Sequence, residues 1–344
     1  MNKRIIKFLI MLGVMMTFPL WDPPLNDLIV QFTNQVSESR DYHFKRLPAF
    51  QSNSDTKMIE ASDRIVVGGI QLGEPRERVE YIHQSQDESL NEYSFKWTSY
   101  HHNYDDFMMI MYDSTNQVNG IYTNQDIFDL PFDISYGTTQ QVVREKLGTP
   151  LEYIEKGNTH YLITSDGEYD VYWINNQFVT LFYDKYQDSI VTAVQIIDDA
   201  LEIQFDQLYA NASLELSDAF DRQLFDIVNA ERNQRGLSIL EWSQEAANTA
   251  YNHSQDMAEN QYFNHINLEG ASPFDRLSKD NIIFSLAAEN LAFGQKSSIY
   301  AHQGLMNSEG HRENILLTDV TQLGIGVSFD VSNQPYYTQL FYAN

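Results

Sequence analysis

A short glycine-centred pattern occurs twice in this chain, and it constrains the first half of the fold more than any other feature. Ile70-Gln71-Leu72-Gly73, with Val79 after it, matches Ile134-Ser135-Tyr136-Gly137, with Val143 after it; the Ile, Gly and Val matches all lie 64 positions apart. Each copy runs on into strand-like segments, 107–113 with 118–122 and 178–184 with 190–197. Their β-branched and aromatic content predicts half-buried antiparallel strands. Gln140–Leu147 predicts a helix, because Gly148 follows as a stop and Pro150 stands two residues later. A repeated helix-plus-sheet pattern over residues 64–200 predicts an α+β domain of two such units.

At 344 residues the chain has room for a second domain. Its 42% hydrophobic and 13% aromatic content supplies cores rather than disorder. It has no cysteine, which excludes disulfide scaffolds, thiolate metal sites, a cysteine nucleophile and a lipid anchor on an N-terminal Cys. The formal net charge of −26 makes nucleic acid an unsuitable partner, since binding it requires Lys and Arg to neutralise phosphates. At the N-terminus, Lys3, Arg4 and Lys7 precede an uncharged apolar run over 8–20, the order of an export signal. Thr17-Phe18-Pro19-Leu20-Trp21 lacks small residues for cleavage, so residues 1–21 are read as a signal peptide or a retained signal anchor. Either predicts an exported protein, secreted or tethered on the outer face of the cytoplasmic membrane. Residues 22–63, with Pro23-Pro24, read as a linker or stalk.

In the last third, over 214–344, Ser217-Asp218 offers an N-cap for a helix in which Phe220, Leu224, Ile227 and Val228 recur at helical spacing, ended by Gly236. A second helix carries a stripe of Ala247, Ala250, Tyr251, Ser254, Met257 and Ala258. Polar landmarks follow: Phe263-Asn264-His265, Ala288-Glu289-Asn290-Leu291-Ala292, and Asn307-Ser308-Glu309-Gly310-His311-Arg312-Glu313-Asn314. The last is Leu323-Gly324-Ile325-Gly326-Val327, with strand-like residues 336–342 after it. In this order they resemble the bacterial branch of the CAP superfamily, the cysteine-rich secretory, antigen 5 and pathogenesis-related proteins. The duplicated region resembles the CAP-associated N-terminal domain. The resemblance implies a three-layer α-β-α sandwich with a cleft of two His and two acidic residues. Carried over by motif, these are His265, Glu289 and His311. For the fourth, Ser308 aligns by count and Glu309 is the nearest carboxylate, with Leu305 where animal members place a Trp.

His265, His311 and Glu289 suit Zn²⁺ or another divalent cation, and the same groups can instead hold one another. Neither HExxH nor GxSxG occurs, and Ser272 and Ser308 are weak candidates for a nucleophile. The expected function is a non-enzymatic extracellular or cell-envelope module that binds a small ligand, lipid, divalent cation or envelope component. The alternatives are a metal-assisted hydrolase of peptide or envelope material, with Glu289 or Glu309 as base, and a structural envelope or spore-associated protein. Outside this set, His101-His102 reads as a polar loop and His302 as a surface residue. Tyr262 and Phe263 read as core or cleft wall, and Arg312 with Asn314 as ties for the loop beyond the cleft.

Overall fold

The two copies of the glycine pattern fold into the same corner. Ile70 and Ile134 are fully buried, Gly73 and Gly137 turn the chain at φ +82° and +85°, and Val79 and Val143 are fully buried on the short helices that follow. The computed structural model describes residues 64–344; the signal or anchor expected over 1–21 and the linker over 22–63 lie outside the described residues. The described residues all fall in one compact unit.

The first copy comprises β1 (Val66–Val67), α1 (Arg76–Ile82), β2 (Ser85–Leu90), β3 (Lys96–His102), β4 (Asp105–Tyr112) and β5 (Val118–Thr123). After β6 (Phe128–Leu130), the second copy runs through β7 (Ile134–Ser135), α2 (Gln140–Leu147), a hairpin of β8 (Tyr153–Lys156) and β9 (Thr159–Leu162), then β10 (Tyr169–Ile174), β11 (Gln177–Asp184) and β12 (Ile190–Asp198). The two copies do not make two sheets. They share one antiparallel sheet of order β10-β11-β12-β5-β4-β3-β2, in which the last strands of the copies, β12 and β5, pair at the junction.

Both faces of this sheet are buried, so its central strands are not half-buried as their alternation suggested. Met108, Ile110, Ile121, Val179, Leu181 and Val194 face a core shared with Val79 and Val143 of the two short helices. Trp97, Phe107, Met109, Met111, Tyr122, Phe182 and Ala193 face the other way, onto Ile227, Ala230 and Ile299 of the C-terminal domain. The run Phe107-Met108-Met109-Ile110-Met111, apolar at every position, reflects that double burial. Polar ties cross the same interface: Gln125 Nε2 donates to Ala230 O (3.1 Å), Gln303 Nε2 to Tyr122 Oη (3.1 Å), and Gln223 Nε2 to Leu90 O (2.8 Å).

The chain enters the C-terminal domain through α3 (Asp199–Gln204) and α4 (Leu214–Gln234). Helix α4 begins earlier than expected. Ser213 is its cap, accepting from Leu216 N, while Ser217 lies inside the helix, buried, with its hydroxyl donating to Val327 O. Then follow β13 (Glu241–Trp242), α5 (Gln244–Asn260), α6 (Pro273–Lys279), β14 (Leu286–Phe293), α7 (Ser298–Met306), α8 (Glu309–Ile315), β15 (Gln322–Phe329) and β16 (Pro335–Ala343). The sheet order is β13-β15-β16-β14, antiparallel except for the short β13–β15 pair. Leu340 and Tyr342 of β16 pack on Ala246 and Ala250 of α5, whereas Tyr337 and Phe341 pack on Phe220 and Leu224 of α4 and Leu305 of α7. The result is a three-layer α-β-α sandwich in an α+β chain. Among the described residues, no helix is long and apolar enough to cross a membrane.

Two glycines set the separation of the layers. A Cβ on Gly324 would stand 2.2 Å from Ala247 N, and one on Gly326 would stand 1.9 Å from Tyr251 N. The small stripe on α5 and the glycines of β15 therefore let backbone meet backbone. Neither partner is a flexible side-chain tip that can move aside, so Gly326→Ala is expected to cost about 2 kcal/mol or more. Gly310→Ala, with no atom within 4 Å of the added carbon, should stay within about 1 kcal/mol of the parent. Chemical denaturation of the two variants checks both values.

Candidate functional site

The site is built along β14, an edge strand of the C-terminal sheet. Successive strand residues point to opposite faces. Glu289 accordingly reaches His265 and Arg276, while Asn290 turns to Gln339 (3.0 Å) and donates to His311 O (3.1 Å). Asn314 on α8 completes the tie, donating to Glu289 O (3.2 Å) and Asn290 Oδ1 (2.9 Å).

A carboxylate as buried as Glu289, whose side chain is 2% exposed, must be paired to remain there. Both of its oxygens are engaged. Oε1 meets His265 Nδ1 at 2.8 Å, and Oε2 accepts from Arg276 Nη2 at 2.5 Å. Arg276 also donates through Nη1 to His265 O (2.9 Å) and Ala271 O (3.1 Å), so one guanidinium fixes the loop that carries His265. The His265 ring itself is half exposed.

His311 lies on α8, and its Nδ1 is 2.8 Å from Ser308 Oγ. Burial, with the nearby His265 adding to it, pushes the His311 imidazole down to about 4. It is therefore neutral at physiological pH. Among the described residues, neither His265 nor His311 uses Nε2 in a protein hydrogen bond.

The structure thus brings His265 together with Glu289, and His311 with Ser308, along one strand edge. Glu309 is exposed at the start of α8 and makes no hydrogen bond to the cluster. Among the described residues, no three His, Asp or Glu side chains are grouped so as to hold a metal. In the trio His265, Glu289 and His311, both oxygens of Glu289 are taken, by His265 and Arg276. What the donor set resembles instead is a carboxylate orienting an imidazole through Nδ1, which leaves Nε2 outward.

Arg276 was missed in the sequence. The available signal was the capping box that starts α6, in which Ser272 Oγ accepts from Asp275 N and the Asp275 carboxylate accepts from Ser272 N; Arg276 is the next residue. Ser272 Oγ is engaged in that cap and also donates to Asp275 Oδ2 (2.6 Å). Ser308 touches an imidazole, but among the described residues no carboxylate meets that ring, and a group titrating near 4 is a weak base. Tyr262 donates to Asp256 Oδ2 (2.5 Å) and packs on Met257 and Leu291, whereas Phe263 is half exposed with its ring 5.7 Å from Phe293.

Two other histidine readings are corrected. His302 is not on the surface: it is fully buried, 3.8 Å from Glu231. Burial alone would raise Glu231, but the nearby His302 and Arg235, whose Nε donates to Glu231 Oε1 at 2.6 Å, bring it down to about 2. His101 is on β3 rather than in a loop, stacked on Tyr104 at 4.3 Å, with Nδ1 accepting from Tyr104 N.

Two measurements check this geometry. The His311 ring, followed by NMR, should titrate near pH 4; a midpoint near 6.5 would contradict its burial. Because its folded pKa lies below the unfolded value, the unfolded chain binds more protons between these limits. His311 should therefore make stability fall as pH drops from about 6.5 towards 4, with no further contribution below that. Separately, Arg276→Ala leaves Glu289 without its cationic partner and should cost about 3 kcal/mol in equilibrium unfolding.

Known proteins show the same division. Residues 72–208 match the CAP-associated N-terminal family, and residues 225–341 match the cysteine-rich secretory protein family. A Bacillus subtilis (strain 168) protein named uncharacterized membrane protein YlbC is 27% identical over 334 residues, covering 92% of this chain and 90% of that protein. Uncharacterized protein YkwD of the same organism is 37% identical over 123 residues, 36% of this chain and 47% of YkwD. The crystal structure of an extracellular protein containing a SCP domain from Bacillus anthracis str. Ames superposes with a TM-score of 0.69 at 23% identity, over 85% of this chain and 99% of that one. This chain is a CAP-superfamily protein in which a CAP-associated N-terminal domain precedes a CAP domain of the cysteine-rich secretory protein family.

Proposed function

We propose that the protein works outside the cytoplasm as a binding module rather than an enzyme, taking a small ligand or a divalent cation at His265 and His311. One observation carries this reading: both oxygens of Glu289 are held, by His265 and Arg276, so the buried carboxylate of the cleft is an orienting group and not a free base. Hydrolysis through a metal-activated water is helped by a group free to take a proton, whereas Glu289 is held at both oxygens and Glu309 is exposed with no hydrogen bond to the cluster.

Two imidazoles whose Nε2 atoms make no protein hydrogen bond among the described residues can accept a divalent cation such as Zn²⁺, leaving the remaining positions to water or to a ligand that the cation bridges. The same nitrogens can hydrogen-bond a small polar ligand directly, and the half-exposed Phe263, two residues before His265, offers an apolar wall. An envelope component fits an exported module better than nucleic acid does, given the net charge of −26. Export is supported by the basic-then-apolar N-terminus and by relatives described as a membrane protein and as an extracellular protein.

Calorimetric titration of the intact chain with Zn²⁺ tests the cleft. Binding should weaken at least tenfold in His311→Ala, and about 10- to 100-fold in Glu289→Gln, which loses the carboxylate that orients His265. Metal-dependent turnover of peptide or envelope substrates that disappears in Glu289→Ala would overturn the non-enzymatic reading.

A further inference from the structure

The duplication contains its own comparison, at the ends of strands β4 and β11. The chain reads Tyr-Asp at both: Tyr112 is the last residue of β4 with Asp113 just after it, and Tyr183-Asp184 closes β11. The two pairs are structurally equivalent, since Tyr112 pairs with Val118 and Tyr183 with Val191, each immediately after a register shift. Asp113 is used locally, its Oδ1 accepting from Thr115 N (2.8 Å), Thr115 Oγ1 (2.8 Å) and Gln117 N (2.9 Å). Asp184 keeps one such bond, from Tyr186 N (2.9 Å), and turns its other oxygen towards the CAP domain.

There Asp184 Oδ2 accepts from Arg312 Nη2 (2.8 Å) and from Arg235 Nη2 (3.0 Å). The carboxylate is buried, at 3% side-chain exposure, and the two arginines are 13% and 17% exposed. The backbone on either side of Asp184 grips a second residue. Asn307 Nδ2 donates to Tyr183 O (2.8 Å), and Asn307 Oδ1 accepts from Lys185 N (2.9 Å). One amide side chain thus reads two backbone groups of the N-terminal domain at once. Arg312 Nη1 closes the loop by donating to Met306 O (3.1 Å).

Asn307 and Arg312 bracket Ser308 and His311. The segment that presents His311 is therefore fastened at both ends to a single turn of the other domain. We propose that Asp184, together with Asn307 and Arg312, is a positioning residue for the CAP cleft, and that the N-terminal domain sets the placement of His311 through this turn. A buried charge pair is strongly geometry-dependent, and losing one partner leaves the others uncompensated. The functional weight of this inference rests on the cleft reading given above; the placement itself does not.

Hydrogen exchange on the intact chain, followed by mass spectrometry, tests it without any ligand. In Asp184→Asn, peptides covering Glu309–Ile315 should exchange about tenfold faster or more, with those of α5 unchanged. The Nδ1 shift of His311 in ¹⁵N NMR should move as its bond to Ser308 is loosened. Asp113→Asn, the same change in the equivalent turn, should leave both readouts at wild-type values. Asn307→Ala should reproduce the Asp184→Asn effect, and it decides the matter alone should Asp184→Asn fail to fold. Wild-type exchange of Glu309–Ile315 in these variants would overturn the proposal, and so would an equal acceleration in Asp113→Asn or across the whole chain. Loss of cation binding in wild type would refute the cleft reading and leave the exchange result standing.

Discussion

The structure depends on the second face of the seven-stranded sheet. One face is closed within the N-terminal domain by α1, α2 and the small β1-β6-β7 sheet, while Trp97, Phe107, Met109, Met111 and Phe182 on the other pack against Ile227, Ala230 and Ile299 of the CAP domain's helices, with Tyr93, Leu201 and Phe205 in the same layer. Burying a large apolar side chain is worth about 1.5–3 kcal/mol, so five or more at one interface make separation of the domains costly. Ile227 and Ala230 of α4 and Ile299 of α7 are consequently core residues of both domains. Helix α4 also supplies Phe220 and Leu224 to the CAP core, so a single helix is shared between two layers of packing.

That sharing reaches the cleft. Helix α7 enters the interface with Ile299 and ends at the segment that leads into His311, and Asn307 binds the N-terminal domain's backbone directly. On the opposite side, His265 depends on elements internal to the CAP domain, through Glu289 on β14 and Arg276 on α6. The two histidines are thus held by different means. His265 is oriented by a saturated buried carboxylate and stays half exposed, whereas His311 is partly buried, neutral and placed on a helix that both domains anchor.

Much of this architecture was legible in the sequence where local pattern and global packing agree. The offset of 64 positions identified two equivalent corners, and the glycine after Leu147 ended α2 where it was expected. The small stripe on α5 and Gly324 and Gly326 were both visible, although nothing in the chain said that they meet. What the sequence concealed was long-range. Met109 and Met111 look like the outer positions of a half-buried strand unless a second domain is known to cover them. His302 has no local partner, because Glu231 lies far away in the chain on α4. Ser217 was mistaken for a cap because a serine before an acidic residue fits that role, and only the packing on Val327 shows the helix beginning earlier. At the cleft, motif carried over His265, Glu289 and His311, but the partner that decides the chemistry of Glu289 is Arg276, which follows an ordinary helix start.

The central claim is that the two domains share one core and unfold together. Differential scanning calorimetry of the intact chain tests it directly. A single transition, with calorimetric and van't Hoff enthalpies in agreement, is the predicted result. Two resolved transitions, one for each domain, would contradict it.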